Sequence, residues 1–339
     1  MPGLTPNEIE GLFGGLAGYD RLGLAVSGGP DSLALMLLAA HWARGAGRPA
    51  LYVYTVDHGL RPEAAAEAAM VMREAEALGL AARALRWEGD KPSTGIQAAA
   101  RSARYRLMAE AMARDGVQIL ATAHHLADQA ETVLMRLAHG SGIDGLRGMD
   151  AFSFIEGCEV ARPLLGVRPE VLREVVSDAG LAPASDPSNA DENYERVRWR
   201  LMLPALEALG LSIERLGTLA RRLDEASLLI HASAEAVYPS IVTPLGGTSM
   251  ELDGGRFASQ NPAVATSLLG SVLELVSGDR RSPPLGALEL LARRLQQPEP
   301  LKGITLHGCV ISSDGELILV RKEGPRRSVA KRNSASTPN

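Results

Sequence analysis

The first 165 residues alternate between two textures. Short β-rich runs, LGLAV (22–26), ALYVYTV (50–56), ARALRW (82–87) and VQILATA (117–123), are separated by the longer stretches SLALMLLAAHWARG, PEAAAEAAMVMREAEALG and IQAAARSARYRLMAEAMARDG. The last two carry Ala, Leu, Met, Glu and Arg at helical periodicity and end at glycine, as helices commonly do. Such alternation specifies an α/β fold, a parallel sheet covered by helices on both faces. It also fixes where chemistry belongs, because ligands of open α/β sheets bind outside the carboxyl ends of the strands. Polar and charged residues that directly follow strands are therefore the candidates.

After Gly166 the pattern changes. A helix, RPEVLREVVSDAG, leads through the polar loop APASDPSNADEN into helical sequence from Tyr194 to about Glu235, with a break expected at Gly210-Leu211. Beyond residue 240 a smaller α+β unit is expected: two helices, NPAVATSLLGSVLELVSG and PLGALELLARRLQQ, then ITLHGCVISSDGELILVRK as two strands around Ser-Ser-Asp-Gly. The expected organisation is a catalytic domain over 1–210, a helical linker over 211–240, a C-terminal domain over 241–324 and a basic, disordered tail over 325–339. A chain of 339 residues accommodates two domains, each with its own core.

Composition narrows the class. With 46% apolar and 22% charged residues the chain reads as globular. No apolar stretch reaches the roughly 20 residues of a membrane span, and MPGLTPNEIEGLFGG lacks the basic and apolar regions of a signal peptide. The two cysteines, Cys158 and Cys309, stand far apart in no metal-binding spacing, which fits a reducing, cytoplasmic setting. A net charge of −5 argues against a non-specific nucleic-acid binder. The charge is uneven, though: 20 basic against 27 acidic residues through Gly210, 15 against 13 after it, and six basic against one acidic in VRKEGPRRSVAKR. A basic tail of this kind gains affinity for phosphates by counterion release, and such tails are also often simply solvated.

The first strand ends in Ser27-Gly28-Gly29-Pro30-Asp31-Ser32. A strand-to-helix turn exposes the free N–H groups and positive dipole end of the helix, an anion site suited to phosphate. Two glycines permit close backbone approach and positive φ, Pro30 suits the first helical position, and Ser27 and Ser32 can offer hydroxyls to phosphate oxygens. The Walker spacing and its lysine are absent. Asp31 beside phosphates calls for an intervening cation, which suggests Mg²⁺; the plainer reading is a tight turn in which Asp31 and Ser32 favour the helix start. The second strand ends in Asp57-His58-Gly59-Leu60-Arg61. The fourth ends in His124-His125, with Asp128, Gln129, Glu131 and Thr132 on the next helix, and STGIQAAARSARYRLM places Arg101, Arg104 and Tyr105 within two helical turns. Each has a bland reading as a helix-end charge or a solvated face. Their convergence on one sheet edge does not.

SGGPDS resembles the loop signature of the ATP-pyrophosphatase (PP-loop) superfamily. Together with VDHGLR, GIQAAARSARYRLM, AHHLADQAETVLMRLAHGSGIDGL, ARPLL and SDPSNADENYERVRWR, in that order over residues 22–200, the chain resembles the tRNA(Ile)-lysidine synthetases. The resemblance implies a PP-loop (adenine nucleotide α-hydrolase-like) catalytic domain and a C-terminal domain that binds tRNA. It implies a ligase that uses ATP and Mg²⁺ to join free L-lysine to C2 of the wobble cytidine in the CAU anticodon of tRNA(Ile), through an adenylated base, releasing AMP and pyrophosphate. On this basis Ser27, Gly28, Gly29, Pro30, Asp31, Ser32, Asp57 and His58 are expected to bind ATP, with Asp31 the metal ligand. Arg101, Arg104, Asp128, Glu131 and Arg200 are expected to bind substrate. Asp31, His124, Asp128 and Arg196 are expected to be catalytic, Asp128 docking the lysine ammonium and His124 handling a proton or touching phosphate. Two departures from the family pattern stand out: Ala127 where a second aspartate is common, and Val197 in place of the asparagine of Arg-Asn-x-x-Arg.

Three alternatives are weighed against this reading. tRNA thiolation on the same fold needs cysteine chemistry, for which two isolated cysteines are poor material. A metal-dependent hydrolase would use Asp57, His58, His124, His125 and Asp128 as a ligand set. A non-catalytic relative would bind tRNA without consuming ATP.

Overall fold

The computed structural model describes residues 3–60, 62–89, 91–92, 94–184, 191–279 and 281–324. The expected tail, 325–339, lies outside them, as do Arg61 and the middle of the 182–193 loop. Two compact units divide at Leu223/Asp224, inside one long helix.

The first unit runs α1 (Pro6–Phe13), β1 (Arg21–Ala25), α2 (Pro30–Trp42), β2 (Ala50–Asp57), α3 (Glu63–Ala77), β3 (Ala81–Arg86), α4 (Ile96–Asp115), β4 (Ile119–Ala121), α5 (Leu126–Ala138), α6 (Ile143–Leu146), β5 (Phe152–Ile155), β6 (Cys158–Ala161), α7 (Pro169–Asp178) and α8 (Glu195–Ala208). The helix α9 (Ile213–Ile241) follows after the expected break at Gly210-Leu211. Its sheet has the order β3-β2-β1-β4-β6-β5. All neighbours are parallel except the edge strand β5, which pairs antiparallel with β6.

The sequence explains the packing. The central strand β1 pairs Leu24 with Val53 on one side and Ala121 on the other, and Leu22 and Leu24 have no exposed surface. At Gly23 a Cβ would come within 3.0 Å of the Tyr54 ring and 3.1 Å of Leu120, so only glycine fits between the sheet and the side chains over it. The helix α2 is apolar all round, as expected of a helix buried on every side: Leu33 through Ala40 and Trp42 are all buried. Leu172, Val175 and Val176 of α7 and Ile9 and Phe13 of α1 belong to the same core. Each such fully buried side chain contributes about 1.5–3 kcal/mol.

The sequence FIEGCEVARPLL reads as one strand, and the structure divides it between β6 and the end of an edge strand, β5. It is joined to β6 through Glu156-Gly157, both at positive φ (47° and 86°), a two-residue turn matched to strand twist.

The second unit contains β7 (Val242–Pro244), β8 (Ser249–Asp253), α10 (Gly254–Ala258), α11 (Pro262–Ser277), α12 (Leu285–Leu295), β9 (Leu301–Leu306), β10 (Cys309–Ser313) and β11 (Leu317–Lys322). Its five strands form an antiparallel sheet in the order β7-β8-β11-β10-β9. The expected hairpin around Ser-Ser-Asp-Gly is β10–β11. The stretch read as one strand before it is broken at His307-Gly308, both at positive φ (52° and 69°), making the further hairpin β9–β10. Leu268, Leu269, Val272 and Leu273 of α11 pack with Ile311, Ile318 and Val320 in this unit's own core.

Candidate functional site

The turn after β1 is built as its composition requires. Gly28 has φ +88°, and its carbonyl accepts from Ala184 N at 2.9 Å. Gly29 caps α2 and Pro30 occupies its first turn. The Ser32 hydroxyl donates to Gly29 O (2.9 Å) and accepts from Ser27 N (3.1 Å), and the two serine hydroxyls lie 3.3 Å apart. Ser32 thus ties the turn closed and is buried, while no side chain caps the first N–H groups of α2. Those donors and the helix dipole favour an anion there. Asp31, in the same first turn, is partly exposed, with its side chain 37% accessible.

The turn after β4 meets it. His125 is the N-cap of α5: its Nδ1 accepts from Asp128 N (3.4 Å), and Asp128 Oδ2 accepts from His125 N (3.0 Å). With Nδ1 committed as an acceptor, the proton of the neutral ring sits on Nε2, 3.5 Å from Asp31 Oδ2. His125 therefore stands between the carboxylates of two strand-ending turns. Burial is the largest influence on it and pulls its pKa down. The hydrogen bond to Asp31 and the charges of Asp128, Asp31 and Glu131 together outweigh burial and raise it. Sequence reading placed His125 only in the ligand set of the metal-hydrolase alternative and not as a helix cap, because histidine is not a usual N-cap. The signal available was its place, three residues before an acidic residue at the third helical position.

His124 behaves oppositely. Its Nδ1 lies 2.9 Å from Thr122 Oγ1. Burial, aided by the positive charges of Arg162, Arg196 and Arg101, lowers its pKa to about 4 against the pull of Asp128. It is neutral at physiological pH. Arg162, at the end of β6, is also buried; its Nη1 donates to Asp150 O at 2.7 Å. The ARPLL motif held it, but nothing in the sequence shows that it closes on the same site.

The acidic residues of α5 meet the arginines of α8. Glu131 has no exposed surface; it accepts from Arg196 Nε (2.7 Å), Arg200 Nε (2.7 Å) and Arg200 Nη2 (3.3 Å). Asp128 Oδ1 lies 3.4 Å from Arg196 and 3.7 Å from Arg200. Burial would raise the Asp128 pKa, but the charges of His125 and Arg196, the bond from His125 N and the charge of His124 prevail and lower it. Asp128 is thus ionised, with one oxygen used to cap α5 and the other facing two guanidinium groups. Glu131 holds the arginines in place from beneath. The family motif singled out Arg196 and Arg200; it did not show that both pair with Glu131.

The remaining candidates are more local. Asp57 accepts from Gly59 N (2.8 Å) and His58 Nδ1 from Leu60 N (3.1 Å), so both side chains shape the turn after β2. Arg101 and Arg104 are exposed on α4, their guanidinium carbons 5.1 and 5.7 Å from the Tyr105 ring centroid. Among the described residues no three His, Cys, Asp or Glu side chains are grouped to hold a metal, which leaves the metal-hydrolase alternative without a ligand set. A partly exposed carboxylate such as Asp31, in the first turn of α2, does fit Mg²⁺ shared with phosphate oxygens and water. Cys158 is buried, donates to Tyr105 O and has its pKa pushed up to about 11 by burial; Cys309 is buried in the other unit. Neither is a reactive thiolate.

A family described as the PP-loop domain matches residues 7–206. The chain is 44% identical to the tRNA(Ile)-lysidine synthase of Rhodopseudomonas palustris (strain ATCC BAA-98 / CGA009), over 96% of each chain. It is 42% identical to the enzyme of that name from Bradyrhizobium sp. (strain BTAi1 / ATCC BAA-1182), again over 96% of each. Among solved structures it is similar to the U34-tRNA thiolase NcsA from Methanococcus maripaludis, at a TM-score of 0.55 and 14% identity over 65% of this chain and 78% of that one; this likeness is one of fold.

Proposed function

The chain belongs to the tRNA(Ile)-lysidine synthase family, and on that premise we propose how its residues divide the work of an ATP-dependent tRNA ligase. The observation that carries the reading is the meeting of two turns at the carboxyl edge of the sheet. The anion-binding turn 27–32 presents Asp31, and the α5 cap presents His125 and Asp128, joined across 3.5 Å. Nucleotide activation and amine attack need such neighbouring sites.

In the first step O2 of the wobble cytidine in a CAU anticodon attacks the α-phosphorus of ATP, and pyrophosphate leaves. The free N–H groups of α2, with Ser27, Gly28 and Gly29, bind the departing phosphates; growing negative charge is stabilised by donors already in place. Asp31 would hold Mg²⁺ against those oxygens, and the ion would supply charge neutralisation. Asp57 and His58 shape the β2 turn at the nucleotide's edge. Arg196, held by Glu131, faces the transferring phosphoryl group or the anticodon loop, and Arg101 and Arg104 track the RNA.

In the second step the ε-amine of free lysine bonds to C2, and the C2–O bond breaks as AMP leaves with the former O2. Asp128 is the ionised carboxylate that docks the ammonium, alongside Arg196 and Arg200; the ammonium gives one proton to water, and the neutral amine is the species that attacks. A base with a pKa of about 4 is mismatched to a free alkylammonium near 10.4. His124 is matched instead to the far more acidic ammonium formed once nitrogen has bonded to C2, and it takes that proton. The second unit, 224–339, is assigned to holding the tRNA body, and the protein to the cytoplasm. No described helix is long and apolar enough to cross a membrane.

The test uses purified protein, ATP, labelled lysine and unmodified tRNA(Ile) with a CAU anticodon. Label should enter acid-precipitable RNA with AMP and pyrophosphate formed in equal amounts. tRNA binding without ATP consumption, or sulfur incorporation instead of lysine, would refute the proposal.

A further inference from the structure

Thr122 follows β4, is 6% exposed, and its hydroxyl meets the ring of His124 and the carbonyl at the end of β6. Its backbone N–H donates to Ala161 O at 2.9 Å. Its hydroxyl lies 3.4 Å from the same carbonyl and 2.9 Å from His124 Nδ1. A hydroxyl has one proton to give and can also accept. The carbonyl can only accept, whereas an imidazole nitrogen either donates or accepts according to tautomer. Ala161 O already accepts the backbone N–H and has a second lone pair; the arrangement that uses that lone pair as well runs in one direction: Nδ1–H donates to Oγ1, and Oγ1–H donates to Ala161 O. In the reverse arrangement the hydroxyl proton goes to Nδ1, and the contact with the carbonyl sets two lone pairs against each other.

We propose that Thr122 is a positioning residue that fixes His124 in its Nδ1–H tautomer, leaving the Nε2 lone pair as the proton acceptor of the lysine-transfer step. This rests on the reading of His124 given above. The contact between β4 and β6 is what makes the device work, since Ala161 O receives both the backbone and the hydroxyl proton of Thr122 and so holds the hydroxyl's direction. Neighbouring histidines are then set in opposite tautomers, His124 by a hydroxyl and His125 by the backbone N–H of Asp128. The charged groups that act on His124 are Asp128 of α5, Arg101 of α4, Arg162 after β6 and Arg196 of α8.

Two measurements on the full chain decide it. First, long-range ¹H–¹⁵N spectra of ¹⁵N-histidine-labelled protein, with the His124 signals identified by their loss in His124→Gln, should show a protonated Nδ1 and a bare Nε2. Thr122→Val should move the ring toward Nε2–H, and Thr122→Ser should keep it as it was. Second, lysine transfer is followed in a single turnover from tRNA adenylated beforehand by the wild-type protein. Thr122→Val should slow it on the order of tenfold or more, with Thr122→Ser within a few-fold of wild type and the thermal midpoints of both variants near wild type. A wild-type ring carrying its proton on Nε2 overturns the proposal, and so does Thr122→Val transferring lysine at the wild-type rate while His124→Gln does not. Full transfer by His124→Gln would refute the role given to His124 itself; the spectra would then still decide the claim about Thr122.

Discussion

Glu131→Gln is the perturbation whose size the structure best defines. The carboxylate is fully buried and receives three hydrogen bonds from two guanidinium groups. Glutamine has nearly the same shape but is neutral. It keeps one acceptor oxygen for one arginine and turns an NH₂ group toward the other, donor against donor. Removing one partner of a buried ion pair typically costs about 3–5 kcal/mol. The arginine side chains here are 37% and 43% exposed, so water recovers part of their solvation and the low end, about 3 kcal/mol, applies. For a unit of this size each kcal/mol moves the midpoint by roughly 2–4 °C, so the transition of the first unit should fall by roughly 6–12 °C. Scanning calorimetry of the full chain reads this directly, with the second unit's transition as an internal reference. Unlike a ligand-binding carboxylate, a buried anchor must show the loss without any substrate present. A midpoint lowered by less than about 2 °C together with a raised KM for lysine would refute the reasoning. Glu131 would then be a substrate ligand and its pairing with the arginines incidental.

Three further outcomes are expected. Asp31→Ala should lower pyrophosphate release on the order of 10²–10³-fold while tRNA binding stays near wild type, since its partner is the metal–nucleotide; near-normal turnover would remove Asp31 from the mechanism. Asp128→Asn should raise the KM for lysine by about one to two decades, the value of one charge-assisted bond, while adenylation, followed with α-labelled ATP in the absence of lysine, continues; lost adenylation with an unchanged lysine KM would move Asp128 to the nucleotide site. The two histidines should tilt the pH dependence of stability in opposite senses. His124, depressed to about 4, resists a proton that the unfolded chain takes near 6.5, so it weakens the fold as pH falls from about 6.5 toward 4. His125 is raised, so its contribution is complete below the unfolded pKa and is lost as pH rises through the folded one. Urea midpoints against pH should therefore lose part of their acid-side decline in His124→Gln and part of their alkaline-side decline in His125→Asn; profiles parallel to wild type would refute both assignments.

How far the sequence reaches into this molecule depends on whether a feature is encoded locally. The turn 27–32 was legible because its constraints are its own: Gly28 needs positive φ, Pro30 needs a first helical turn, and the strand before it alternates into an apolar helix. The break at Gly210 was legible for the same reason. The hairpin at His307-Gly308 was not, because histidine is a rare occupant of positive φ and the flanking residues read as one continuous strand. β5 is only four residues long and exposes Phe152 and Phe154, the inverse of a buried-strand pattern. The charged residues of the site show the limit most clearly. Asp128 and Glu131 were singled out through one family motif and Arg196 and Arg200 through another; within each pair, i, i+3 or i, i+4 spacing allows a shared helix face. Their spacing says nothing of a contact across the 65 positions that separate Glu131 from Arg196. Only the packing of α5 against α8 reveals that Glu131 takes three hydrogen bonds from the arginines, while Asp128 divides its oxygens between the α5 cap and the same two guanidinium groups. A motif specifies which charges a site needs; depth along the packed helix face decides which of them is wholly enclosed by its partners and which keeps some exposure, 0% for Glu131 and 14% for Asp128.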